Sequence, residues 1–191
     1  IRDRYIQDVL SIPSGQAVKL DIFHVNRDAK SSLILKTKRA LIKTVTGRLI
    51  EKHIGYTRIS SFLPQTPIDL RKVIEDLEHQ AEGKLQGWII DLRDNPGGDL
   101  QAAVDSVDLI MDSGIITTIL DGEGKIHNLY YASSGDAARG LPIVLLINPE
   151  TASAAELFAA ALQDNKRALI LGNPSFGKDT IQTTHAANGG G

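Results

Sequence analysis

Three segments of the chain hold side chains whose types and spacing can do chemistry. The first is Asn148-Pro149-Glu150-Thr151-Ala152-Ser153-Ala154-Ala155-Glu156, read as the corner between a buried strand and a helix. A serine at such a corner is held rigidly, stands at the end of the sheet and lies beside unpaired helix N–H groups, which is the mechanical logic of a nucleophile elbow. The same residues fit another description. Ser153-Ala-Ala-Glu156 matches the capping-box pattern, in which the hydroxyl serves only the Glu156 amide. The second segment is Asp91-Leu92-Arg93-Asp94-Asn95-Pro96-Gly97-Gly98, again between a strand and a helix. Two glycines allow positive φ and close approach to a ligand, and the helix N-terminus just beyond presents N–H groups to an anion, so a developing oxyanion has a place to sit. The alternative is a plain β-to-α turn in which Asn95, Pro96 and Gly97 only shape the chain.

The third segment, Gly172-Asn-Pro-Ser-Phe-Gly177-Lys178, has the G-x-x-x-x-G-K spacing of a phosphate loop. The next residue should then be Ser or Thr to hold magnesium, yet it is Asp179, whose carboxylate repels phosphate. Thr180-Ile181-Gln182-Thr183-Thr184 reads as strand, whereas a phosphate loop leads into a helix. The other chemical reading of the segment is that Lys178, if buried, loses its proton and serves as a base; its alternative is a solvated surface lysine. His24, His53, His79, His127 and His185 have no metal or triad spacing and are expected on the surface or in loops. Asp94, Asp99 and Asp105 fit no cation loop and read as solvated or capping groups. No metal and no cofactor is expected.

Strands must position these segments, and the sequence supplies them. Ile54-Gly55-Tyr56-Thr57-Arg58-Ile59 reads as a strand, and Thr66-Pro67 as the N-cap and first residue of a helix whose apolar face is Leu70, Val73, Ile74 and Leu77. The round repeats with Trp88-Ile89-Ile90 and a helix striped by Leu100, Ala103, Val104, Val107, Ile110 and Met111. It repeats again with Ile143 to Ile147, an alanine-rich helix over Ala154 to Gln163, and a strand at Ala168-Leu169-Ile170-Leu171. Strands alternating with helices predict an α/β core with crossover connections. Upstream, Ala17 to Phe23 and Leu33 to Thr37 predict a hairpin after an initial helical turn, too small to make a core alone.

Composition narrows the function classes. The chain has 191 residues, 42% of them hydrophobic, and a formal net charge of -2, which suits a folded domain and gives no basic surface for nucleic acid. Without cysteine there is no disulfide, thiolate nucleophile or cysteine-bound zinc. No apolar run approaches the roughly 20 residues of a membrane helix. An Ile1 start and a Gly189-Gly190-Gly191 end predict that the chain continues at both ends, with any signal peptide upstream.

Taken in order, Gly55-Tyr-Thr-Arg-Ile59, Asp91 to Gly98, Ala152-Ser-Ala-Ala-Glu156 with Ala161-Leu-Gln-Asp164, and Phe176-Gly-Lys178 with Gln182 resemble the C-terminal processing peptidases, or tail-specific proteases. The resemblance covers nearly the whole chain. It implies a Clp protease/crotonase-like α/β core over residues 41–191, lacking its C-terminal end, preceded over residues 1–40 by the closing part of a PDZ domain. It puts Ser153 at the nucleophile position, Lys178 at the general-base position and Gln182 at the position that orients the lysine, with the N–H groups of Gly98 and Ala154 as oxyanion donors. Such enzymes use no cofactor, take protein or peptide substrates with apolar C-terminal tails, which the PDZ domain binds by strand addition, and work outside the cytoplasm in the periplasm, cell envelope or thylakoid lumen. The same core also occurs in non-catalytic binding relatives that lack the serine and lysine. Two departures stand out: the serine-rich lead-in usual in the family is Glu150-Thr151-Ala152 here, and Asp179 replaces the usual glycine.

Overall fold

Short apolar strands alternating with amphipathic helices build most of this computed structural model, which describes residues 12–24, 29–38, 42–178 and 180. The chain divides into two units, Ile1–Ile42 and Lys43–Gly191. In the first, β1 (Ala17–His24) and β2 (Ala29–Lys36) form the expected antiparallel hairpin, with Leu20 opposite Leu33 and Val18 opposite Leu35. The helical turn expected before Pro13 lies outside the described residues.

In the second unit the order along the chain is β3 (Val45–Ile50), β4 (Ile54–Ile59), α1 (Thr66–Gln80), β5 (Gly87–Asp91), α2 (Leu100–Asp108), β6 (Ile115–Leu120), β7 (Ile126–Tyr131), β8 (Ile143–Ile147), α3 (Ala154–Asp164) and β9 (Ala168–Gly172). The main sheet has the order β3-β4-β5-β8-β9, with β3 antiparallel to β4 and the other four strands parallel. The predicted α/β crossover core is therefore present. Three strands went unpredicted. Strand β3 is broken in pattern by Gly47, whose missing side chain leaves the space that Val73 and Leu77 of α1 occupy. The β6–β7 hairpin stands apart as its own two-stranded sheet between α2 and β8.

The predicted faces are largely buried, Leu70, Ile74 and Leu77 on α1 and Ala103, Val104 and Val107 on α2, with Val73 and Leu100 half-buried. Helix α2 stops at Asp108, so Ile110 and Met111 enter the core from the turn after it, and α3 buries Ala155, Phe158 and Leu162. Phe62 and Phe158 meet in the core with ring centroids 5.6 Å apart. At the start of α1 the structure corrects the expected cap. Gln65 is the N-cap and Thr66 is already helical, because the buried Thr66 hydroxyl accepts the Leu63 N–H at 2.9 Å and shares a 2.7 Å hydrogen bond with Thr44.

Four parallel strands end on one edge of the sheet, and loops leave that edge after Ile59, Asp91, Ile147 and Gly172. Binding residues of open α/β sheets collect on this edge. A buried charge ties the edge together. Asp91 has no exposed side-chain surface, yet it accepts the Arg93 Nη2 at 2.7 Å, the Arg93 Nε at 2.9 Å, the Arg93 N–H at 3.0 Å and the Tyr56 hydroxyl at 2.7 Å. Burial alone would raise its pKa, but these hydrogen bonds outweigh burial and lower it to about 2. A carboxylate depressed in the folded state stabilises the fold above its unfolded pKa and loses that contribution as pH falls through the folded value. Acid titration should thus reduce stability between about pH 4 and pH 2 by at most about 2.5 kcal/mol from this group. Urea melts over that range should show the decline, and Asp91→Asn should lower stability at neutral pH while flattening the slope.

Candidate active site

The corner after β8 is built by side chains that replace regular hydrogen bonding. Thr151 is fully buried; its hydroxyl donates to the Leu92 carbonyl at 2.8 Å and accepts the Asn148 N–H at 3.1 Å. This turns the chain sharply, and Ser153 follows with φ 56 and ψ -121 at the N-terminus of α3. An ordinary N-cap residue sits in the β region. Positive φ in a residue bearing a Cβ is strained by roughly 1–3 kcal/mol, and such strain collects at functional sites. The Ser153 side chain faces the Glu156 N–H in capping-box fashion, but that N–H is taken at 2.8 Å by the Ser153 carbonyl and no regular side-chain cap bond forms. The capping box and the strained strand-to-helix corner therefore coexist at Ser153.

Glu156 completes its half of the box and does more. Its Oε2 accepts the Ser153 N–H at 2.8 Å and the Lys178 N–H at 2.9 Å, and its Oε1 accepts the Ser175 hydroxyl at 2.7 Å and the Gly177 N–H at 2.6 Å. The main chains of Ser153 and Lys178 therefore lie within two hydrogen bonds of each other, although 25 positions separate them. Burial opposes the Glu156 charge, but the hydrogen bonds from Ser175, Gly177, Lys178 and Ser153 keep its pKa below the usual value. The Lys178 side chain is exposed, in contrast to the burial expected of a lysine base. Gln182 and Asp179 lie outside the described residues, as does the strand expected over Thr180 to Thr184 apart from Thr180. The helix that a phosphate loop needs would follow Lys178, where all but Thr180 lies outside the described residues.

The glycine segment packs against the serine corner. A Cβ placed on Gly97, where φ is +96, would stand 2.9 Å from both the Ser153 Cβ and the Ala154 N. Asn148 and Asp94 hold the two loops together reciprocally: the Asp94 N–H donates to Asn148 Oδ1 at 2.9 Å, and Asn148 Nδ2 donates to Asp94 Oδ1 at 2.7 Å. Phe62 anchors the far side, donating to the Gly97 carbonyl at 2.9 Å and accepting the Asp99 N–H at 2.8 Å. The N–H groups of Gly98 and Ala154 find no acceptor among the described residues. Asp99 caps α2 through the Ala102 N–H at 2.7 Å. His53, His79 and His127 are exposed, as expected. Among the described residues no group of three or more His, Asp or Glu could hold a metal ion.

Sequence reasoning thus found the serine and glycine loops but missed what joins them: Asp91 with Arg93, the Asn148–Asp94 pair, buried Thr151 and the reach of Glu156 beyond its own helix. Only Glu156 carried a signal, as the fourth residue of the capping box.

A mostly parallel sheet with a serine at a positive-φ strand-to-helix turn beside a glycine loop has the parts of a nucleophile elbow. Residues 53–191 match Peptidase family S41. The chain is 36% identical over 178 residues to the carboxy-terminal-processing protease of Bartonella bacilliformis, covering 92% of this chain and 41% of that protein. It is 35% identical over 180 residues to the tail-specific protease of Haemophilus influenzae, covering 91% of this chain and 25% of that protein. Among solved structures it is similar to the photosystem II D1 C-terminal processing protease, with TM-score 0.67 and 29% identity over 89% of this chain and 47% of that one. The chain belongs to Peptidase family S41. It spans less than half the length of these relatives.

Because Glu156 joins the Ser153 corner to residues 175–178, Glu156→Gln should loosen both. The glutamine puts an amide donor where four donors converge, so stability should fall by about 1–3 kcal/mol at neutral pH. Hydrogen exchange should quicken at Ser153, Gly177 and Lys178 and not in β4 or β5. In the wild type the same amides should quicken only as pH falls below the carboxylate range, since the clamp needs the charged form.

Proposed function

We propose that this chain carries the nucleophile and base of a serine endopeptidase that cuts proteins near their C-terminal tails. The observation that supports it most is the strained Ser153 corner, packed on Gly97 and flanked by the unpaired N–H groups of Gly98 and Ala154. Membership of the S41 family and similarity to proteins named for C-terminal processing support the substrate class.

In this reading the Ser153 Oγ attacks the peptide carbonyl carbon while its proton passes to the neutral Lys178 Nζ. The carbonyl π electrons move to the oxygen, which the Gly98 and Ala154 N–H groups stabilise. Collapse of the adduct expels the amine, which takes the proton from Lys178, and water then releases the acyl group by the same steps in reverse order. Gln182 orients the lysine. A serine hydroxyl needs this help, because at neutral pH it is a weak nucleophile. A lysine base acts through its uncharged amine, and the Lys178 side chain is exposed in the structure. Substrates are proteins with apolar tails, held by a PDZ domain of which residues 1–40 form the closing part, and the protein works outside the cytoplasm without metal or cofactor. No helix among the described residues is long and apolar enough to cross a membrane.

The test is cleavage of a peptide with an apolar C-terminal tail by the protein with its flanking segments. Ser153→Ala and Lys178→Ala should each reduce kcat by about 10⁴-fold or more. Cleavage that survives Ser153→Ala would remove the serine mechanism, and absence of cleavage by the wild type would leave a peptide-binding role on the same core.

A further inference from the structure

Asn95 lies in the middle of the glycine segment with no exposed surface at all. Every polar group it owns is in use, and the partners come from three different parts of the fold. Its Nδ2 donates to the carbonyl of Ile59, the last residue of β4, at 2.9 Å. Its Oδ1 accepts the Gly97 N–H at 2.9 Å. Its carbonyl accepts the N–H of Ala152, the residue before the serine, at 2.9 Å, and its own N–H donates to Leu92 at 3.1 Å. A turn residue that only shapes the chain does not need a buried side-chain amide that bonds a strand end and its own loop at once, while its backbone carbonyl holds the serine loop.

From this geometry we infer that Asn95 is the positioning residue of the oxyanion pocket: it fixes the Gly97-Gly98 backbone against the Ser153 corner, so that the two free N–H groups point at one place. The inference rests on the peptidase reading above for the catalytic part of its consequence. The residue type follows from the hydrogen bonds. The site needs a planar group that donates to Ile59 and accepts from Gly97 at once. Aspartate keeps the acceptor but sets a buried carboxylate against a carbonyl oxygen, and serine is too short to span both. The segment packs closely on its surroundings: a Cβ built on Gly97 would stand 2.7 Å from the Ala152 carbonyl oxygen and 2.9 Å from the Ser153 Cβ and the Ala154 N, and one on Gly98 would overlap the Phe62 carbonyl. An oxyanion pocket works only when its donors are preorganised, and a displacement of about 1 Å can reduce rate about 100-fold.

Asn95→Ala tests this on the protein with its flanking segments, with the buried α2 residue Val107→Ala as a control for lost stability. With the apolar-tail peptide, Asn95→Ala should lower kcat about 10- to 100-fold and leave KM within about threefold, as expected when an interaction made only in the transition state is lost. A peptide aldehyde, which adds to the serine as a tetrahedral adduct, should weaken by the same factor as kcat/KM, while Val107→Ala should leave both nearly unchanged. Hydrogen exchange, which needs no activity, should quicken more than about tenfold at Gly97 and Ala152 relative to β5 amides in the same variant. Unchanged exchange at those two amides would overturn the positioning claim whatever the enzyme does. Changed exchange with unaltered kcat and aldehyde affinity in an active, Ser153-dependent enzyme would overturn its catalytic consequence. A wild type that cleaves nothing would sink the peptidase reading instead, and the exchange result would still decide whether Asn95 holds the loop.

Discussion

One carboxylate organises the site. Glu156 receives four hydrogen bonds, two from the main chains of Ser153 and Lys178 and two from Ser175 and Gly177, and it sits on the first turn of α3 where the helix dipole favours a negative charge. Among the described residues, the other bond that holds the segment after β9 near the serine corner runs from the Phe176 N–H to the Thr151 carbonyl, at 2.9 Å. The helix that buries Phe158 and Leu162 in the core thereby carries its rigidity out to a segment that has no secondary structure of its own.

The strained backbone of Ser153 is tolerated for the same reason. Positive φ there is opposed by sterics but fixed by hydrogen bonds on both sides: Glu156 holds the Ser153 N–H, Asn95 holds the Ala152 N–H, and Thr151 is tied to Leu92. The glycine loop is over-determined in turn by Phe62, Asn148 and Asn95. Strain survives where neighbours leave the backbone no alternative, and here the neighbours come from the ends of β4, β5 and β8. Sheet topology makes this possible, since parallel strands deliver all three ends to one edge.

What could be read in the sequence was local. Helical spacing of Leu70, Ile74 and Leu77, the apolar run Ile143 to Ile147 and the glycine pair after Asp91 each announce themselves within a few residues, and each is found where expected. The ordered motifs carried the family, which residues 53–191 bear out. What escaped depends on pairs distant along the chain. Asp94 meets Asn148 across 54 positions and Asn95 meets Ile59 across 36, and no window of sequence shows such a pairing. Strand β3 escaped because Gly47 interrupts its pattern for the sake of α1 packing. Burial of Asp91 escaped because an aspartate reads as surface until its Arg93 and Tyr56 partners are seen together.

In the proposed mechanism Ser153 is an activated nucleophile whose reactivity depends on Lys178. Covalent labelling with a small fluorophosphonate, followed by mass spectrometry of the digested protein, tests it without any choice of substrate. The proposed mechanism predicts one adduct, on Ser153, whose formation is reduced by orders of magnitude in Lys178→Met. Labelling elsewhere, no labelling of Ser153 in a chain that holds its flanking segments, or labelling at the same rate in Lys178→Met would contradict it.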